Sequence, residues 1–173
     1  MQKLGDVVFT QDWVARSIVE HFNPKGTILE PCKGEGAFTK YLPTAEWCEI
    51  SEGRDFFLWD KPVDWMIGNP PYSKAKFLPW IIHSFKYAEN IVYLLPIKKV
   101  YNSFNLLRLI DEYGGIKEHF VVGPGHRIGF RYGFAFGAVH FQRGYKGGSV
   151  TTFTQPNKAC TGLVGTVPLP SII

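Results

Sequence analysis

Thr27-Ile28-Leu29-Glu30-Pro31-Cys32-Lys33-Gly34-Glu35-Gly36-Ala37 runs from a short apolar strand through an acid and a proline into a two-glycine turn and the start of a helix. A strand that turns through glycines into a helix is the repeating opening of a parallel α/β sheet. Upstream, Trp13, Val14, Ile18, Val19 and Phe22 recur on one helical face, with Thr10 suited to the N-cap, Asp12 to the first turn and Asn23-Pro24 to the stop. Downstream, residues 37–42 are predicted to begin a helix, and residues 46–50 and 63–67 to form two more strands. Phe77, Leu78, Ile81, Ile82 and Phe85 fall at helical spacing, with Pro79 confined to the first turn if the helix starts near Lys76. The almost continuously apolar run 91–97 has the character of a central parallel strand covered on both faces.

Ser103 can cap a helix bearing Leu106, Leu107 and Ile110, which Gly114-Gly115 would end. Residues 116–122 and 134–141 are candidate final strands, joined by a glycine-rich, basic loop at 123–133. The alternation predicts an α/β domain with a parallel sheet and helices on both faces. One domain is expected over 1–149. The Gly-, Thr- and Pro-rich remainder, 150–173, is expected to be an extended or partly disordered tail.

The chain has 173 residues, 45% of them hydrophobic, enough for one well-filled core and short for two domains. No apolar stretch approaches a bilayer span and the first residues lack the order of a signal peptide, so a soluble, cytoplasmic protein with no membrane partner is expected. Cys32, Cys48 and Cys160 are widely spaced, without a Cys-x-x-Cys pair or a histidine at ligand spacing; reduced thiols and no metal are expected. The net charge of +4 is compatible with a polyanion without requiring one. Lys74, Lys76, Lys98, Lys99, Arg127, Arg131, Arg143 and Lys146 carry the later positive charge, and any one of them read alone is solvated surface.

The strand at 63–67 delivers the string Asn69-Pro70-Pro71-Tyr72. Two prolines stiffen the turn, remove two N–H donors and push Asn69 toward an extended conformation, leaving carbonyl acceptors beside an aromatic face. Such a loop suits a planar NH₂ group on a ring that can stack. Ligands of open parallel sheets bind beyond the carboxyl ends of the strands, where the polar residues here gather. Gly34 and Gly36 permit a sharp turn and a close ligand, yet the third glycine of a dinucleotide fingerprint and the lysine of a phosphate loop are both missing. Glu30 disfavours phosphate and suits a cationic amino or sulfonium group. Glu49 can accept both hydroxyls of a ribose, or be a plain surface acid. Asp55 and Phe56 offer an acceptor and an apolar wall for a purine, or a turn acid and a core aromatic.

The segments 28–38, Arg54-Asp55-Phe56-Phe57 and Gly68-Asn69-Pro70-Pro71-Tyr72-Ser73 resemble, in this order, the cofactor loop, adenine segment and catalytic loop of S-adenosylmethionine-dependent N6-adenine DNA methyltransferases. The resemblance extends over roughly residues 9–145 and implies a Rossmann-like three-layer α/β/α sandwich, its sheet mostly parallel with an antiparallel last strand. It implies that Phe9, Thr10, Glu30, Pro31, Cys32, Gly34, Gly36, Phe38, Glu49, Asp55, Phe56 and Asn69 bind S-adenosylmethionine. It assigns catalysis to Asn69, Pro70, Pro71 and Tyr72, and nucleic-acid contacts to Tyr72, Ser73, Lys74, Arg127 and Arg131. The interval between Glu49 and Asp55 leaves no room for the helix these enzymes place there, so the adenine pocket is expected to be shallow or built differently.

The implied partner is DNA, with RNA as the alternative. Target reading is expected from the 123–133 loop, the tail, a partner chain or a homodimer. Glutamine methyltransferases share the Asn-Pro-Pro-Tyr loop, but this chain has Glu30-Pro31-Cys32 where they open differently. A silent partner subunit is the non-enzymatic alternative, against which the intact loop argues. A hydrolase is disfavoured because no Gly-x-Ser-x-Gly elbow is present.

Overall fold

The computed structural model describes residues 8–131 and 133–154. Four parallel strands begin the sheet: β1 (Ile28–Glu30), β2 (Glu46–Trp47), β3 (Val63–Gly68) and β4 (Ala88–Pro96). β5 (Gly114–Pro124) and β6 (Ala135–Arg143) form a hairpin, and β7 (Val150–Phe153) follows it. The seven strands lie in the order β2-β1-β3-β4-β6-β5-β7. β6 is the antiparallel member, inserted between β4 and β5 and opposed to both. The chain leaves β1 toward β2 on one side and returns as β3 on the other, so the strand order reverses at β1.

Period-two alternation explains why the central runs are apolar without interruption. Met66, Ile91, Tyr93 and Leu95 face one layer, formed by α2 (Lys74–Tyr87) and α3 (Phe104–Tyr113), while Ile67, Val92 and Leu94 face the opposite one, where α1 (Asp12–Phe22) packs. Each of these side chains is at most 1% exposed, and burying one contributes about 1.5–3 kcal/mol before chain entropy is counted. The Tyr93 hydroxyl remains satisfied in this core by Ser84 Oγ, 2.7 Å away.

Several boundaries differ from the sequence reading. The helix expected at 37–42 is a single 3-10 turn, Thr39–Tyr41, because Pro43 and the approach of β2 leave room for only one turn. α1 begins after Gln11, and Thr10 does not cap it, its hydroxyl being committed elsewhere. α2 starts at Lys74, which puts Pro79 in its second turn on an exposed side. The antiparallel strand is followed by one more: Val150–Phe153, assigned by composition to a tail, pairs in parallel with β5. The rest of the expected tail, 155–173, lies outside the described residues.

Candidate active site

The carboxyl ends of β1 and β3 meet at the point of reversal. Gly68 makes the meeting close: a Cβ there would lie 3.5 Å from the Pro31 ring, 3.6 Å from Cys32 Sγ and 3.7 Å from Glu30 Cγ. The Cys32 thiol donates to the main-chain carbonyl of Asn69 at 3.1 Å, and burial pushes its pKa well up, so it remains a donor. The 69–72 loop is thereby fastened to the β1 loop at its first residue.

The Asn69 side chain is oriented from the N-terminal side. Its Nδ2 donates to Val8 O and to Thr10 Oγ1, each at 3.1 Å. Its Oδ1 accepts from the Tyr72 hydroxyl. The Tyr72 ring is partly buried, tilted against Phe130 at 5.9 Å and edge-on to Phe136 at 6.0 Å. Burial raises the Tyr72 hydroxyl well above its ordinary pKa and keeps it protonated. Pro70 is buried and Pro71 half-buried beside it.

On the β1 side, Glu30 is 1% exposed and accepts a hydrogen bond from Thr39 N at 2.9 Å. Burial pushes its carboxyl up to about 8, a cost that a nearby cation would relieve. Gly34 and Gly36 hold φ of +53° and +83°, a region that strains other residues, and a Cβ on Gly34 would lie 3.6 Å from the half-exposed Phe9 ring. Desolvation would raise Glu49, but hydrogen bonds from Ser51 and from Gly34 N hold it below its ordinary value. Its carboxylate thus ties the glycine turn to the end of β2 and keeps further lone pairs toward solvent.

Asp55 caps the 3-10 turn Phe56–Leu58, accepting from Phe57 N at 2.9 Å. Phe56, expected to wall a purine, is 2% exposed and packs on Trp80 at 4.4 Å; the exposed ring beside it belongs to Phe57. Phe38 is also core, at 1% exposure, so its ring supports the β1 loop from below. Ser73 is the N-cap position of α2 but makes no side-chain cap bond. Arg127 and Arg131 are exposed between β5 and β6.

Two features escaped the sequence reading. The thiol bond from Cys32 to Asn69 joins residues far apart in the chain, and no local pattern announces it. Trp47 at the end of β2 is stacked by both Lys33 and Arg54, each 4.0 Å from its ring centre; the cations lie on two different loops, so only the fold brings them together. The charges also divide along the sequence. Residues 1–64 hold seven Lys and Arg against eleven Asp and Glu, whereas residues 65–173 hold twelve against four.

No family model matches the chain, and no curated protein matches it. Solved structures do. A Listeria monocytogenes protein assigned to the class I S-adenosylmethionine-dependent methyltransferases aligns at 12% identity and a TM-score of 0.57, over 84% of this chain and 64% of that one. A modification subunit assigned to a type I restriction enzyme of Vibrio vulnificus aligns at 14% identity and a TM-score of 0.57, over 86% and 46%. A component of a type I restriction–modification assembly aligns at 12% identity and a TM-score of 0.64, over 87% and 45%. The chain therefore has the Rossmann-like fold of the class I methyltransferases. It spans between 45% and 64% of the length of these structures. Among the described residues, no helix is long and apolar enough to cross a membrane.

Proposed function

We propose that this chain transfers the methyl group of S-adenosylmethionine to the exocyclic amine of adenine in DNA, by direct in-line attack at a base flipped out of the stack. The observation that carries the reading is the double anchoring of Asn69 at the β1/β3 reversal: its carbonyl is held by Cys32 and its amide nitrogen by Val8 and Thr10. Its side-chain oxygen is thereby turned toward Tyr72 and fixed as an acceptor.

The residues on the β1 side fit the cofactor. Glu30 is a buried acid whose ionisation a cationic amino or sulfonium group would favour, and the glycine turn bracketed by Phe9 leaves main chain bare for a close ligand. Glu49 and Asp55 stand at the end of β2 with acceptor capacity for ribose and adenine. When bound, S-adenosylmethionine supplies an electrophilic methyl group on a positively charged sulfur.

An adenine amine is a poor nucleophile because its lone pair is delocalised into the ring. Asn69 Oδ1 and the Pro70 carbonyl accept its two N–H bonds, which draws the nitrogen toward a tetrahedral shape and frees the lone pair for attack. As the amine took up the methyl group, positive charge would grow on its nitrogen, and the same two oxygens would stabilise it before the surplus proton passed to water. The Tyr72 ring stacks on the flipped base. Holding the reactants in line supplies the rest of the acceleration, with no covalent enzyme intermediate.

The test offers labelled S-adenosylmethionine with DNA, RNA and a glutamine-bearing peptide in parallel. Label in DNA, retained as N6-methyladenine after digestion, is the expected result. Label in the peptide alone or in RNA alone overturns the substrate assignment, and label in none overturns the activity.

A further inference from the structure

The loops that follow β3 and β4 and the loop between β5 and β6 contain no Asp or Glu, whereas those after β1 and β2 carry Glu35, Glu49, Glu52, Asp55 and Asp60. The acid-free side is also aromatic at its surface. After β4 the chain makes a 3-10 turn, Ile97–Tyr101, in which side chains three apart eclipse, so Lys98 and Tyr101 share a face. Tyr101 is 50% exposed and Phe104, opening α3, is 91% exposed. An isolated exposed ring is ordinary, but two within four residues beside paired lysines form a patch.

The patch adjoins the 69–72 loop by two routes. Lys98 Nζ lies 3.0 Å above the Phe134 ring, and Phe134 belongs to the same β5–β6 connection as Phe130, against which Tyr72 packs. Lys99 Nζ lies 5.5 Å above the ring of Phe77, in the first turn of α2 directly after Tyr72 and Ser73. Lys98 and Lys99 thus stand beside the elements that flank Tyr72, and the chain runs on from them to Tyr101 and Phe104.

We propose that this strip docks single-stranded DNA beside the target base, so that the substrate is an unpaired segment. The proposal deepens the methyl-transfer reading and rests on it for the target. Cations on these acid-free loops neutralise phosphates. Exposed rings supply stacking faces, which only unpaired bases can use because a duplex hides both faces of each base. The Tyr101 hydroxyl is held by His119 Nε2 at 2.8 Å, which fixes the ring in place before a base arrives.

The experiment measures binding of the full chain, by fluorescence anisotropy, to a labelled oligonucleotide containing one adenine and to the blunt duplex of the same sequence. The single strand is expected to bind at least ~10-fold tighter. Phe104→Ala, at a position too exposed to disturb the core, is expected to weaken single-strand binding ~5- to 100-fold while changing duplex binding little. Lys98→Ala with Lys99→Ala is expected to reduce the slope of log affinity against log salt by about 1.4. Equal or tighter duplex binding, or full affinity in Phe104→Ala, overturns the strip. Methyl transfer is followed in the same samples so that the two ideas fail separately. Label in duplex but not in single strand overturns the strip and leaves the activity standing; Phe104-dependent single-strand binding with no label in any nucleic acid overturns the activity and leaves the strip.

Discussion

The two walls that meet at the β1/β3 reversal differ in charge and in construction. The β1/β2 wall carries more acids than bases and is held by main-chain bonds: Glu49 grips Gly34 N, Thr39 N reaches Glu30, and Asp55 caps its own turn. The wall beyond β3 is basic and made of rings, with Tyr72, Phe130 and Phe136 packed together inward and Tyr101 and Phe104 exposed. Small donors and acceptors on a rigid turn suit a small cationic ligand, while cations among rings suit a polyanion with aromatic bases. On the proposed reading the two sides receive reactants of opposite charge, and Asn69 stands on the seam between them, bonded to both sides.

The most severe way to break this division is at the seam. Asn69→Ala removes the acceptor proposed to act on the amine and leaves the acidic wall intact. Turnover is expected to fall ~10²- to 10³-fold, as for loss of one preorganised transition-state hydrogen-bonding group, while cofactor affinity by calorimetry changes less than ~3-fold. A parallel loss of cofactor affinity would place Asn69 in the acidic wall and not between the two.

The next test sharpens the acidic wall through pH. Glu30 keeps its proton in the folded chain up to about 8, whereas its ordinary value is 4.5. Between those values the folded state binds the extra proton, so this group's contribution to stability is full below about 4.5 and is lost as pH rises toward 8. The slope it adds is at most about 1.4 kcal/mol per pH unit. Denaturant unfolding at pH 5, 6, 7 and 8 is expected to show this decline in the natural chain and a flatter profile in Glu30→Gln. A bound cation beside Glu30 reverses the shift, so cofactor binding near pH 7 is expected to release a proton, read as a dependence of binding heat on the buffer. Proton uptake would show that the cation sits elsewhere.

How much of these walls was legible depended on the range of the interactions. The strand at Val63–Gly68, the buried run now β4, and the helix capped by Ser103 follow local period and local capping, and the Ser103 hydroxyl does accept from Leu106 N. The β1 turn was legible because glycine and proline act on their own backbone. Thr10 was misread as a cap because its hydroxyl is claimed by Asn69, a partner from across the fold. Phe56 and Phe57 are identical in type, and only the position of α2 decides that the first is core and the second exposed. β7 has the composition of a linker and becomes a strand because β5 offers it an edge, with Thr152 Oγ1 donating to Glu118 at 2.5 Å. The charge division was present in the sequence, but it acquires meaning only once the strand order reverses at β1.

The smallest expected effects come from Tyr72, and they decide whether the basic wall is open or closed at rest. Its hydroxyl occupies the Asn69 oxygen that the proposed mechanism assigns to the target amine, and its ring packs on Phe130 and Phe136, where the proposed base would enter. A base can stack only after Tyr72 leaves both partners, so part of the binding energy is consumed in opening. Tyr72→Ala removes the stacking surface and is expected to weaken single-strand binding by about 1–3 kcal/mol. Tyr72→Phe keeps the ring and deletes the hydrogen bond to Asn69, whose net worth is about 1 kcal/mol. It is therefore expected to lower KM ~5-fold, with kcat falling less than ~2-fold, because the ring persists and the acceptor is freed. A KM that rises in Tyr72→Phe would mean that the hydroxyl holds the substrate, and the basic wall would then be preformed.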